Sequence, residues 1–220
     1  MSGQNRRLPS EGIKKDCFLL LISVLMNTTE GDERACREIE AEGGREHLCS
    51  CIVKLWNYDK KGTKANGCGS VKREASVYAD EMSALLGVLI NVVDEIGCEG
   101  FLEDEEGTAA LVDVLCDMTK AAEVVDNNEH VDDGANGGGV TVECLDRRDA
   151  RQKSSAEAYG SILLGFLVVG SAEVRGRVMD RLEGIEGVKM SIERTLAFYL
   201  SVGAVTDRTK ERLSVLVASL

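Results

Sequence analysis

One proline stands in 220 residues, aromatic residues make up 4%, and histidines number two. With proline this scarce, long helices run without interruption. So few aromatics point away from a β sandwich or barrel and towards helices packed through Leu, Val, Ile and Ala, within an apolar fraction of 44%. His47 and His130 are thin material for acid–base catalysis, and no nucleophile elbow, P-loop or dinucleotide fingerprint is present. We therefore expect no enzyme and no cofactor. No apolar run approaches the roughly 20 residues that span a bilayer, so no membrane partner is expected. The N-terminal Met1-Ser2-Gly3-Gln4-Asn5-Arg6-Arg7 reaches its first apolar run only at Phe18, with no small-residue cleavage pattern behind it. Of the eight cysteines, Cys17, Cys98 and Cys116 sit in apolar helical phrases, where a thiol behaves as a small hydrophobe. Together these features predict a reducing compartment, nucleus or cytoplasm.

Basic excess is also missing. The net charge is −12, which excludes bulk electrostatic attachment to nucleic acid or anionic lipid. Residues 94–133 hold 14 Asp or Glu against one Lys, a balance of −13. Residues 151–220 hold 10 Lys or Arg against 8 Asp or Glu, so the acid belongs to one segment.

What the chain does have is a recurring phrase. Leu21-Ile22-Ser23-Val24-Leu25-Met26-Asn27 matches Leu85-Leu86-Gly87-Val88-Leu89-Ile90-Asn91, and Leu163-Leu164-Gly165-Phe166-Leu167-Val168-Val169 matches both except at its last place. A segment apolar on nearly every side must be enclosed by other elements. Each copy is followed by a polar helix-like segment, a glycine break and a second amphipathic stretch. This pattern predicts an all-α fold of about three stacked HEAT- or armadillo-like repeats, each covering the apolar face that its neighbour cannot bury alone.

Along the chain, residues 1–12 read as a frayed arm. Residues 13–125 hold repeats one and two, with Ile13–Met26 as a buried helix ended by Asn27-Thr28-Thr29, then a charged helix over Asp32–Ala41 stopped by Gly43-Gly44. Arg45–Trp56 follows with Leu48, Ile52, Leu55 and Trp56 at helical spacing, and residues 57–73, rich in Lys and Gly, read as a mobile basic loop. A helix from Glu74 to Val93 carries the second copy, and another begins near Thr108. Residues 126–152 read as a disordered acidic, glycine-rich insertion. Residues 153–220 hold the third repeat, with Ser171 capping Ala172–Leu182, Gly203 stopping the helix of Val188, Ile192, Leu196 and Tyr199, and Thr206 capping the last helix.

Among candidate sites, His47-Leu48-Cys49-Ser50-Cys51 is the densest group of metal-ligand types. Its cysteines stand i,i+2 on a helix and point about 200° apart, so they cannot share one ion, and no metal is expected. No Asp-x-Asp-x-Asp-Gly calcium loop occurs, and Glu103-Asp104-Glu105-Glu106 reads as a solvated face. The arginines after Ser171, interleaved with Glu173, Asp180, Glu183 and Glu186, read as surface ion pairs. Asn27 and Asn91 recur at one place of the phrase, where an amide either holds the backbone of an extended peptide on a concave surface or caps and stabilises the fold. We take Asn27, Asn91 and Glu95 as the candidate concave side, and Lys189 and Glu193 on the exposed side of the penultimate helix as a second candidate.

The phrases Ser83-Ala84-Leu85-Leu86-Gly87-Val88-Leu89-Ile90-Asn91-Val92-Val93-Asp94-Glu95 and Ala158-Tyr159-Gly160-Ser161-Ile162-Leu163-Leu164-Gly165-Phe166-Leu167 together resemble the C-terminal domain of the Wings apart-like family, the cohesin release factors. So does the closing stretch, with Met190, Leu196 and Phe198, the link Gly203-Ala204-Val205-Thr206, and Leu213 and Val217. The resemblance covers roughly two thirds of the chain, including the acidic insertion over 94–157. It implies a HEAT-like array, acting as a monomer in the nucleus, that binds cohesin subunits and a Pds5-like protein and promotes cohesin release without catalysing a reaction. No Phe-Gly-Phe motif of the family's N-terminal region occurs, as in a reduced relative or a piece of a longer chain. The alternative reading is a general armadillo-like adaptor that holds a peptide and has no link to cohesin.

Overall fold

The computed structural model describes residues 11–65, 75–103, 105–129, 143–203 and 205–220, with side chains at 16–58, 79–101, 105–121, 155–203 and 205–220. Every regular element among them is a helix, as the all-α reading expected. The order is α1 (Glu11–Thr29), α2 (Glu33–Ala41), α3 (Gly44–Ala65), α4 (Ala75–Ile96), α5 (Glu99–Glu103), α6 (Glu105–Glu129), α7 (Glu143–Gly170), α8 (Ala172–Leu182), α9 (Glu186–Ser201) and α10 (Asp207–Ser219). A long, a short and a long helix thus follow one another three times before α10 closes the chain.

The three copies of the leucine-rich phrase lie on α1, α4 and α7, and α4 packs against both of the others, most extensively against α7. Beside this row stand α3, α6 and α9, each touching the next, with α3 also on α4 and α6 on α7. Enclosure by α1, α2, α3 and α7 explains why the Leu85–Ile90 stretch of α4 is apolar all round. Leu85, Leu86, Val88 and Leu89 are 0% exposed, and each such side chain contributes about 1.5–3 kcal/mol by leaving water. The glycine at the third place of the second and third phrases has a packing reason. A methyl group on Gly87 would strike Met26 of α1, and one on Gly165 would crowd Ile192 of α9 and Leu216 of α10.

The first copy departs from expectation. Leu20, Leu21 and Val24 are 66%, 69% and 59% exposed, and Cys17 is exposed as well. The cause is position: among the described residues α1 has α4 and α2 on one side only, so Ile22, Leu25 and Met26 reach the core while no described element covers the opposite face. The helix also runs past Asn27 to Thr29, where the Thr28 and Thr29 hydroxyls donate to the Leu25 carbonyl at 2.9 Å.

Two segments read as loops are partly helical. Residues 57–65 extend α3, and the rest of the expected basic loop lies outside the described residues. Residues 126–129 end α6 and 143–152 begin α7, leaving 130–142, with His130, outside the described residues. Residues 11 and 12 open α1, and the rest of the expected arm is not described. Helix α6 starts at Glu105 rather than Thr108, which puts Glu105 and Glu106 on its first turn, where the helix dipole favours acids.

The caps at Ser171 and Thr206 fall where their residue types predicted, and Asp32, read as the first residue of its helix, is the cap of α2. Asp32 accepts from the Ala35 N–H at 3.0 Å, Ser171 from Val174 at 3.2 Å and Thr206 from Thr209 at 3.1 Å, each contributing about 1 kcal/mol. Gly43, at φ +69°, ends α2 in the left-handed region that residues with a Cβ avoid.

Candidate functional site

Four helix ends meet where the second copy finishes. The Asn91 side-chain amide on α4 donates to the Met26 carbonyl at 2.8 Å and to Thr29 Oγ1 at 3.0 Å. It thereby adds a second contact to a carbonyl in the last turn of α1, which the Thr29 hydroxyl also reaches at 3.0 Å. The Cys36 thiol of α2 points to the carbonyls of Thr29 at 3.5 Å and Asn91 at 3.7 Å. Burial, reinforced by the charges of Glu95 and Asp32, pushes that thiol up to about 11, which leaves it protonated and unreactive.

Glu95, one turn beyond Asn91, turns to α10. It accepts from Arg208 and, at 3.1 Å, from Arg212, while Asp94 also pairs with Arg212. Arg208 packs over Gly31 in the turn between α1 and α2, so the last helix is fastened to the first unit through its arginines. Of the three residues assigned to a concave side, Asn91 and Glu95 therefore spend their hydrogen-bonding groups inside the chain. Asn27 stays exposed at the end of α1, next to the carbonyl that Asn91 holds.

Lys189 and Glu193 stand one turn apart on α9, half-buried and exposed respectively, with Met190 43% exposed between them. Helix α9 packs on α6, α7 and α10, so this pair does not join the Asn91 group. The arginines of α8 differ from expectation in their partners. Arg177 pairs with Asp113 and Arg181 with Asp117, at 3.1 and 3.0 Å, both across to α6 and not to the acids beside them in sequence. The matching i,i+4 spacing of Asp113/Asp117 and Arg177/Arg181 is the signal that marks this ladder. It raises the Arg181 pKa, chiefly through the Asp117 hydrogen bond.

In the His47 segment, His47 Nδ1 donates to the Gly43 carbonyl at 2.7 Å, Cys49 is buried and Cys51 half-buried. Among the described residues no three His, Cys, Asp or Glu side chains are placed to hold a metal ion. Arg45, two residues earlier, is 4% exposed, pairs with Glu40 at 2.9 Å and Glu46 at 2.7 Å, and sits 5.0 Å from the centre of the Phe101 ring. Sequence reasoning passed over this arginine, because nothing in the spacing shows that Phe101 of α5 lies beneath it.

Between α1, α2 and α3 lies an open groove of about 640 Å³. Ile22, Leu25, Ile39, Leu48 and Leu85 form its floor and walls, Phe18 stands at its mouth, and Glu38, Glu42 and His47 edge it. Periodicity placed the α1 leucines on a helix and did not reveal that this side of it stays open.

The described residues thus define an all-helical protein with an apolar groove in its first unit and ion-paired helices α6, α8 and α10 elsewhere. In sequence it resembles the Wings apart-like family. It is 24% identical to Wings apart-like protein 2 and 22% identical to Wings apart-like protein 1, both of Arabidopsis thaliana, in each case across 93% of this chain. The resemblance therefore reaches well beyond the two thirds carried by the phrases alone. The chain spans about a quarter of the length of these curated relatives, 26% and 24%. No protein-family model matches, and no solved structure matches. No helix among the described residues is long and apolar enough to cross a membrane.

Proposed function

We propose that this chain is a Wings apart-like regulator of sister chromatid cohesion, which binds cohesin subunits and a Pds5-like protein and promotes release of cohesin from chromatin by protein–protein contact. The observation that carries this reading is the similarity to two Wings apart-like proteins along nearly the whole chain. The long–short–long helix order, three times over, supports a HEAT- or armadillo-like array as its scaffold. In this reading the protein works in the nucleus as a monomer, catalyses no reaction, takes no cofactor and does not touch nucleic acid directly.

Among the candidate contact residues, exposed Asn27 and the Lys189/Glu193 pair remain available to a partner, while Asn91 and Glu95 act by fixing the surface around Asn27. Affinity purification of the tagged full chain is the test. Recovery of cohesin subunits and a Pds5-like protein, reduced by the charge reversal Lys189→Glu with Glu193→Lys, supports the proposal. Purification that yields neither partner overturns it. The groove favours a second reading, a peptide-holding adaptor unrelated to cohesin. That reading predicts recovered partners without either component.

A further inference from the structure

The groove of the first unit is open because two things that fill the second unit are missing from it. In the second unit the short helix α5 supplies Phe101, 1% exposed, whereas the apolar residues that α2 turns towards the groove are Ala35 and Ile39, beside Glu38. In the second copy of the phrase Leu85 is 0% exposed, whereas its counterpart Leu21 is 69% exposed. Phe18, Leu21 and Leu25 follow one another at spacings of three and four, so they form one ridge along α1, with Phe18 and Leu25 lining the groove. A leucine ridge with that spacing beside an apolar trough is the shape that receives another helix.

The edge fixes the sign of that helix. The charged carboxylates lining the groove are Glu38 and Glu42, one turn apart on α2 and its cap. Glu38 pairs with Arg34 at 3.1 Å, but both side chains are well exposed, at 67% and 88%, and such a pair holds weakly enough to exchange for a better-placed cation. His47, the third polar residue of the edge, has its Nδ1–H committed to Gly43.

We propose that the groove between α1, α2 and α3 receives an amphipathic helix of a partner protein, with leucine-like residues on one face and lysine or arginine along the edge opposite Glu38 and Glu42. The inference rests on the protein-binding reading above and names the chemistry of the partner segment. Phe18 and Leu25, which line the groove, are its apolar anchors on α1, with exposed Leu21 beside them on the same ridge, and Ile39 and Leu48 close the trough beneath it.

The test uses the full chain and fluorescein-labelled peptides of about 18 residues, five helical turns. One peptide carries leucine and lysine in amphipathic helical order, a second has the same composition scrambled so that no apolar face forms, and a third replaces lysine with glutamate. Fluorescence anisotropy should show the ordered leucine–lysine peptide saturating at one per chain and the other two binding at least roughly tenfold more weakly. Leu21→Glu, and separately Glu38→Lys with Glu42→Lys, should each weaken the ordered peptide by roughly tenfold with an unchanged melting curve, while Glu173→Lys with Glu211→Lys, an equal charge change elsewhere, should not.

Equal binding of the scrambled peptide, or full binding to the Leu21→Glu chain, overturns the proposal. A free chain that sediments as a dimer and becomes monomeric on Leu21→Glu also overturns it, since a second copy would then be the occupant. Failure of wild-type cohesin capture with peptide binding intact removes the cohesin reading alone. Cohesin capture with no peptide binding removes the groove alone.

Discussion

Leu21-Ile22-Ser23-Val24-Leu25 and Leu85-Leu86-Gly87-Val88-Leu89 are nearly the same words in two places with opposite fates. Leu85 and Val88 are 0% exposed, while Leu21 and Val24 are 69% and 59% exposed. Both segments are helical, so local propensity treats them alike. What separates them is their place in the row, because α4 has a neighbour on each side and, among the described residues, α1 has none beyond it. An apolar phrase specifies a helix that can be buried. Whether it is buried depends on which elements lie alongside, and an uncovered copy becomes a surface that a partner can use.

The comparison is most sharply broken by truncation at matched positions. Leu85→Ala should cost about 3–4 kcal/mol, because the site is enclosed and cannot collapse around the lost atoms, whereas Leu21→Ala should stay within about 0.5 kcal/mol. Urea denaturation of the two variants checks this, and equal losses would mean that α1 is covered. Arg45→Ala comes next, at about 2 kcal/mol, since it leaves Glu40 without its buried partner and uncovers Phe101, although both carboxylates keep some access to water. The recurring amide offers a third contrast. Asn91→Ala should lower stability by about 1–2 kcal/mol through its two lost hydrogen bonds to α1, and Asn27→Ala should leave the melting temperature unchanged.

Smaller effects follow at the surface. Arg177→Ala with Arg181→Ala should cost about 0.2–1 kcal/mol per pair and lose most of that in high salt, as their half-exposed ladder to Asp113 and Asp117 is screened. Thiol labelling at mild pH should modify exposed Cys17 and spare Cys36 and Cys116, both buried and pushed up to about 11 by desolvation first of all. Mass spectrometry of the labelled native chain reads this directly. Rapid labelling of Cys116 would show that the α6 core opens readily.

Local features were legible in the sequence. Ser171 and Thr206 cap the helices that their residue types announced, and Leu48, Ile52, Val188 and Ile192 are buried as their helical spacing required. Composition misled at the insertions. Residues 57–65 continue α3 despite their lysines, because no proline interrupts the helix that Ile52 anchors. Relations between distant residues were beyond periodicity. Glu95 meets Arg208 and Arg212, 113 and 117 residues further on, and so fastens the last helix to α4. The groove was hidden for the same reason, since it exists only where α2 fails to fill the space that α1 and α3 leave.

Hydrogen exchange of the full chain, alone and with the ordered leucine–lysine peptide, tests the contrast between enclosed α4 and open α1 most directly. The account predicts that α4 amides exchange slowest in both samples, while protection in α1 and α2 is lower in the free chain and rises when peptide is added. Exchange from α4 as fast as from α1, or new protection confined to α9 and α10, would contradict it.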